Sequence, residues 1–203
     1  MPEPVRSENA FFLVRHGETE WSRDRRHTGR TDIPLLDEGR RQAELIGAAL
    51  HGRRFTLVLT SSLQRALQTC RLAGFGEEAQ VREDLREWDY GDDEGRTTAE
   101  IRVERPDWSL WVDGAPGGES PEDIGRRADR ILQEVRVATG DAIAFAHAHV
   151  LRVIAARWLG LPPSDGRLFA LSTATLSVLS YEHHIPVLLR WNEEVAAAQG
   201  GAR

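Results

Sequence analysis

The sequence predicts an α/β fold, and three observations carry that expectation. Short apolar runs at residues 10–15, 56–60 and 142–146 read as buried strands. Amphipathic helical patterns lie between them, the alternation expected of a sheet with parallel strands. The length of 203 residues fits one such domain with a sizeable core.

In chain order, the first strand is Ala10-Phe11-Phe12-Leu13-Val14 running into Arg15. Residues 37–51 read as a helix with Ala43, Ile46, Gly47 and Leu50 on one face. The strand at 56–60 leads into a helix over 63–73 that Gly74 can end. Residues 80–82 suit a small edge strand. The stretch 88–118, rich in Gly, Trp, Asp and Pro, is the least regular, with short helices at 97–104 and 107–112. Ser120 can cap the next helix, Pro121 fits its first turn, and Glu122 and Asp123 face the positive end of its dipole. Ile124, Ala128, Ile131 and Val135 form its apolar face. After the strand at 142–146, a helix over 149–159 stops at Gly160-Leu161-Pro162-Pro163. Two last strands, 173–181 and 185–191, flank the turn Glu182-His183-His184, and Pro186 makes the last one an edge strand. The chain reads as a single domain over 1–203, with flexible ends at 1–9 and 196–203.

Composition excludes several classes. A formal net charge of −6 disfavours a nucleic-acid partner. No apolar run reaches the about 18 residues of a membrane span. The first nine residues lack the apolar centre of a signal peptide, so the expectation is a cytoplasmic protein off the membrane. Cys70 is the one cysteine, which rules out an internal disulfide and a cysteine-based zinc cluster; its helical context makes it a core residue. There is no lysine. Schiff-base chemistry and a Walker-type lysine are therefore excluded, and phosphate recognition must use arginine forks, histidine, hydroxyls or backbone N–H groups.

The residues that carry chemistry sit at strand ends. Arg15-His16-Gly17-Glu18-Thr19 closes the first strand, and His147 follows the strand at 142–146. In open α/β sheets that edge binds ligands. Arg65 lies at the start of the helix after the second strand, where the helix N-terminus adds positive potential for an anion. Glu87 stands at the edge of the irregular stretch. Two histidines, two arginines and one carboxylate form the inventory for phosphoryl transfer without a metal: a nucleophile, charge stabilisers and a proton donor.

With these residues the chain resembles the phosphoglycerate-mutase-like branch of the histidine phosphatase superfamily. The resemblance runs from Phe11 to Tyr181 and is nearest to small bacterial acid phosphatases and sedoheptulose-bisphosphatase-like enzymes. Its blocks are Arg15 to Ser22, Thr28 to Asp32, Leu85 to Gly95, and Phe145-Ala146-His147-Ala148-His149. It implies a three-layer α/β/α sandwich with a mostly parallel sheet and one antiparallel edge strand. It also implies His16 as the nucleophile that becomes phosphohistidine. Arg15, Arg65 and His147 would cradle the phosphoryl oxygens, and Glu87 would serve as acid for the leaving alcohol, then as base for water. Thr28, Gly29, Tyr90 and His149 match substrate-side positions. Ser22 replaces the asparagine that contacts phosphate in the mutases, and Ala148 replaces the usual glycine after the second histidine.

Plainer readings stand beside these. His147 and His149 have the spacing of a metal pair, but no further ligands follow, so neither a metal nor another cofactor is expected. His183 and His184 read as a solvated turn, and His27 and His51 as surface residues. Trp88, Trp108 and Trp111 form either a satellite core or a wall against the leaving group. The expected function is a metal-independent phosphomonoesterase acting on a small phosphorylated metabolite, as a monomer or a homodimer. The alternatives are a phosphoglycerate mutase using the same phosphohistidine and a non-catalytic phospho-ligand module. The short, acidic stretch from Glu87 to Glu119 favours hydrolysis over the mutase. Asp89, Asp92, Asp93 and Glu94, if they face the pocket, favour small monoesters over highly charged substrates.

Overall fold

In the computed structural model, residues 9–195 are described. The expectation of flexible ends lies outside them except at Asn9, whose Nδ2 donates to Ala138 O at 2.9 Å. The six strands are β1 (Phe11–Arg15), β2 (Leu57–Thr60), β3 (Ala79–Val81), β4 (Ala142–Ala146), β5 (Thr175–Glu182) and β6 (Ile185–Glu194), in the spatial order β3-β2-β4-β1-β5-β6. The pairings β3·β2, β2·β4 and β4·β1 are parallel. The strand that runs against the others is β5, one place in from the edge, and β6 returns beside it. Pro186 lies on that outermost strand, where its missing N–H costs no ladder bond on the open side. The β5–β6 turn places His183 and His184 at φ +50° and +66°, and both are exposed.

The central strands are buried on both faces, and their alternate residues feed two cores. Phe12, Val14, Val58, Ile143 and Phe145 pack with Ile46 of α2 (Asp37–Ala49), with Leu50 at its C-terminal cap, and with Cys70 and Ala73 at α3 (Gln64–Leu72). Phe11, Leu13, Leu59, Ala144 and Ala146 pack on the other face. Their partners are Ile124, Ala128 and Ile131 of α6 (Pro121–Arg136) and Val150, Leu151 and Ile154 of α7 (Ala148–Trp158). Burial pushes the Cys70 thiol up to about 12, which suits its core position. Three layers result. The shorter helices are α1 (Glu20–Arg23), α4 (Thr98–Glu104) and α5 (Leu110–Asp113). Of these, α1 was not expected. It is one turn held by a reciprocal cap between Thr19 and Ser22. A 3-10 turn at Pro163–Leu168 is also additional. Ser120 caps α6 as the sequence suggests. Among the described residues, no helix is long and apolar enough to cross a membrane.

Candidate active site

Register brings the two histidines together. Arg15 on β1 is level with Ala146 on β4, so the next residues, His16 and His147, leave the sheet side by side. His16 N donates to Ala146 O at 3.0 Å, and the two imidazole rings lie 5.2 Å apart. Both are buried. The backbone after His16 is pressed against α2: a Cβ on Gly17 would fall 2.2 Å from Gly39 O, so only glycine fits.

Hydrogen bonds fix each tautomer. His16 Nδ1 lies 2.8 Å from Gly17 O, a carbonyl that can only accept, so Nδ1 carries the proton and Nε2 carries the lone pair. His147 Nδ1 accepts from Arg65 Nε at 3.1 Å, so its Nε2 is the N–H and donates to Ser61 Oγ at 2.8 Å. Burial, reinforced by the charges of Arg65 and Arg15, holds His16 well below the usual histidine range. Burial and the Arg65 charge do the same to His147. One imidazole thus carries a lone pair on Nε2, and its neighbour carries a proton on Nε2 that rests on Ser61 Oγ.

The arginines complete this end of the sheet. Arg65 is fully buried, and besides His147 it donates from Nη1 to Thr31 O at 2.9 Å. Its Nη2 donates to Thr28 O and Gly29 O, at 2.9 and 3.1 Å. It therefore ties the Thr28–Gly29 backbone to the histidine pair. The N-terminus of α3 is not open to a ligand anion, because Asp32 Oδ1 accepts from Gln64 N at 2.8 Å. Arg15 donates from Nη1 to Leu171 O at 2.6 Å. Its Nε is the one buried side-chain nitrogen or oxygen left without a partner among the described residues.

Glu87 comes from the irregular stretch and closes the N-terminus of α7. Its Oε1 accepts from Trp88 N at 2.9 Å and Val150 N at 3.0 Å, and its Oε2 from His149 N at 3.0 Å. Burial pushes its carboxyl up. The His149 hydrogen bonds and charge, with the nearby His147, outweigh burial and hold it well below the ordinary range. His149 Nδ1 is 3.6 Å from Glu87 Oε2 and 2.7 Å from the Tyr90 hydroxyl.

Other expected residues divide. Gly29 N donates to both Glu94 oxygens, at 2.9 and 3.0 Å. Thr28 Oγ1 donates to Arg26 O. Ser22 is taken up in the Thr19 cap, accepting from Thr19 N at 2.8 Å and donating to Thr19 O, so its hydroxyl is committed locally. Ala148 opens α7 in ordinary helical conformation. Trp88 and Trp108 are core residues, their Nε1 atoms donating to Glu119 O and Gly114 O. Trp111 is half-buried, with its ring 5.2 Å from that of His149.

One sequence expectation is corrected. His27 is not a surface residue. A bridge between Arg26 and Thr97 folds it under, 4.7 Å from the Tyr90 ring, and burial lowers it to about 4. Of the acidic run, Asp92 is exposed, and the other three members are engaged within the protein. Asp93 is buried and paired with Arg105, Asp89 lies 2.5 Å from Arg30, and Glu94 binds the Gly29 and Thr31 amides. Ser61 and His27 were missed as neighbours of the site. Only Ser61 had a local signal, as the residue following a buried strand. Among the described residues, no three His, Cys, Asp or Glu side chains are grouped to hold a metal ion.

The model of the histidine phosphatase superfamily, branch 1, matches residues 11–194. The chain belongs to that family. It is 41% identical over 179 residues to an acid phosphatase of Mycobacterium tuberculosis, covering 86% of this chain and 88% of the relative. It is 36% identical to the sedoheptulose 1,7-bisphosphatase of Saccharomyces cerevisiae, covering 74% and 67%. It is also 32% identical to a probable phosphoglycerate mutase GpmB of Yersinia enterocolitica, covering 84% of each. Among solved structures, an open reading frame of M. tuberculosis superposes with a TM-score of 0.88 at 38% identity, covering 93% of this chain and 99% of that one. A mycobacterial glucosyl-3-phosphoglycerate phosphatase complexed with VO3 gives 0.81 at 28% identity, covering 91% and 98%. This histidine phosphatase thus has the mostly parallel α/β sandwich of its family.

Proposed function

We propose that this histidine phosphatase hydrolyses small phosphate monoesters through a phosphohistidine on His16, with no metal ion. The observation that carries the reading is the tautomer pair: a His16 Nε2 lone pair next to a His147 N–H, beside two arginines that have no carboxylate partner. A phosphoryl group placed there meets a neutral nucleophile and fixed positive charge, which serves a loose transition state. The P–N bond to His16 forms as the ester P–O bond breaks. Glu87 gives a proton to the departing alkoxide and then takes one from the water that cleaves the P–N bond, releasing phosphate and free His16. Glu87 is ionised in the empty site, so it acquires that proton when a phosphate dianion arrives, because a like charge nearby favours the neutral carboxyl.

Arg15, Arg65 and His147 act on the phosphoryl oxygens in this reading, and Thr28, Gly29, Tyr90 and His149 shape the substrate side. Ser22 acts by holding the Thr19 turn. The protein is read as a single-domain cytoplasmic enzyme for phosphorylated metabolites, working as a monomer or homodimer. The similarity to probable phosphoglycerate mutases keeps phosphoryl return to a second hydroxyl as the other reading. Rapid-quench labelling with a 32P-monoester decides the main point. Wild type should yield an acid-labile, base-stable phosphoenzyme on His16, and His16→Ala should yield neither phosphoenzyme nor turnover. Label on another residue overturns the assignment, and isomerised ester in place of free phosphate favours the mutase.

A further inference from the structure

Glu87 is ionised at rest and must hold a proton when the alcohol leaves, so a proton has to reach one particular atom. Its Oε1 already accepts two backbone N–H groups, from Trp88 and Val150, which fills both lone pairs. Its Oε2 accepts only that of His149. The proton site is therefore the remaining lone pair of Oε2. Glu87 keeps 6% of its side chain exposed against 17% for His149, so water reaches the histidine more readily than the acid.

His149 Nδ1 stands 3.6 Å from Oε2 and 2.7 Å from the Tyr90 hydroxyl oxygen. Beside an ionised carboxylate, Nδ1 carries the ring proton and the Tyr90 oxygen accepts it. Three rings hold the imidazole in place, Trp111 at 5.2 Å, Tyr90 at 5.8 Å and Trp88 at 6.2 Å between centres. The other ring nitrogen, Nε2, bonds to no described residue. It is not sealed from solvent either, since the one sealed side-chain atom without a partner is Arg15 Nε. Burial, opposed by Glu87 and helped by the charges of Arg152 and Arg15, holds His149 below the usual histidine range, so the ring is neutral at pH 7. The neighbouring groups are poorer proton sources. Burial pushes the Tyr90 hydroxyl well above 10, and His27, on the far side of Tyr90, has its Nε2 3.3 Å from Thr98 Oγ1.

We propose that His149 is a positioning residue for the general acid, a proton relay between solvent at its Nε2 and Glu87 at Oε2. This rests on the phosphomonoesterase reading above and adds how the acid of that reading is loaded. When the phosphate dianion binds, a proton from hydronium or a buffer acid bonds to Nε2, the Nδ1–H bond breaks, and the Nδ1 proton joins Oε2. His149 stays neutral, with its proton moved from one nitrogen to the other, and the freed Nδ1 lone pair accepts from the Tyr90 hydroxyl. Tyr90 thus serves both tautomers, as acceptor before the transfer and donor after it. On product release the transfers run backwards, and Nε2 returns a proton to water. The 3.6 Å gap is about 0.5 Å beyond an ordinary hydrogen bond, and catalytic contacts that are long in an empty site tighten when substrate arrives.

The test measures kcat/KM on glycerol phosphate, whose alkoxide needs the proton, and on 4-nitrophenyl phosphate, whose leaving anion does not. His149→Ala leaves a hole that free imidazole can enter. His149→Asn keeps a donor near Tyr90 but passes no proton. Both should lose roughly ten- to a hundredfold on glycerol phosphate and far less on the aryl ester. Imidazole in the assay should restore much of the lost rate in His149→Ala, none in Glu87→Gln, and should leave wild type unchanged. Equal slowing of both esters in variants that circular dichroism shows folded, without rescue by imidazole, makes His149 a structural residue and overturns the relay. Wild-type rates on glycerol phosphate in either variant overturn it as well. Rescue of Glu87→Gln to the same degree shows imidazole protonating the alkoxide directly, which removes the route through Glu87. Each of these results leaves the phosphomonoesterase reading standing. A wild type that releases phosphate from no alkyl ester removes that reading and the relay with it.

Discussion

Replacing Glu87 by glutamine sets three backbone donors against one oxygen and one NH2 group. In the native site Oε1 takes the N–H groups of Trp88 and Val150, and Oε2 takes that of His149. The glutamine does best with its carbonyl oxygen in the Oε1 place, and its NH2 then faces the His149 N–H with no bond possible. One buried donor left unpaired, with charge assistance lost from the other two bonds, costs roughly 2–4 kcal/mol. For a chain of this size, that lowers Tm by roughly 4–16 °C. The kinetic effect is separate. An alkyl leaving group needs the proton and should lose on the order of a hundredfold or more in kcat/KM. A 4-nitrophenyl leaving group departs as a stable anion and should be slowed far less. The assay is kcat/KM for both esters at a temperature where circular dichroism shows wild type and variant folded. Equal slowing of the two esters in a folded variant refutes the acid role and leaves Glu87 as a cap for α7.

Because burial and the adjacent arginines keep His16 neutral well below 6.5, kcat/KM expressed per substrate dianion, whose own proton binds near about 6, should not fall as pH drops from about 7 to about 5; a tenfold loss per pH unit in that corrected value, measured on protein still folded, contradicts this. Stability should decline over part of the same window. The unfolded chain protonates its histidines near 6.5 while folded His27 resists until about 4, so its contribution is complete above 6.5 and is lost on descending toward 4; the buried His16, His147 and His149 act in the same direction, so His27→Phe should make the Tm trend shallower without abolishing it. Asp93→Asn leaves Arg105 without its buried partner and should cost about 3–5 kcal/mol, read as a lower Tm in calorimetry, with kcat retained because neither group touches the site.

What the sequence made legible was what depends on local pattern. Apolar runs marked β1, β2 and β4, and Ser120 and Pro121 marked the start of α6, because each signal lies within a few residues of its effect. The histidine pair was legible as two strand ends, although nothing local shows that β1 and β4 are neighbours in register. The misreadings share one cause. His27 looks like a solvated loop residue, and its burial depends on a bridge to Thr97, seventy positions away. Whether the acids from Asp89 to Glu94 face the pocket could not be read from the sequence, because the pairing of Asp89, Asp93 and Glu94 depends on Arg30, Arg105 and the amides of Gly29 and Thr31. Ser22 was matched to a phosphate contact by position alone, and the shorter side chain turned back to cap its own helix.

Both helix N-termini at the catalytic edge are closed by carboxylates of the chain itself, α3 by Asp32 and α7 by Glu87. In a family that handles phosphate, the backbone N–H groups of these turns would be natural anion sites. Here Gln64 N, His149 N and Val150 N are already taken, and in the proposed reaction the charge on a bound phosphoryl group falls to Arg15, Arg65 and His147. In the proposed reaction, this arrangement also lets one carboxylate serve two opposite steps. In the empty site the His149 hydrogen bonds and charge, with His147, outweigh burial and hold the Glu87 carboxyl well below its ordinary range. An arriving dianion raises its affinity for a proton, and it becomes an acid at the moment an alkoxide must leave. The phosphoryl group then remains on His16, still charged and still near, so the carboxylate left behind is a stronger base toward water than it was at rest. The switch is the substrate's own charge, and it operates because the arginines that hold the phosphoryl group have no protein carboxylate to neutralise them first.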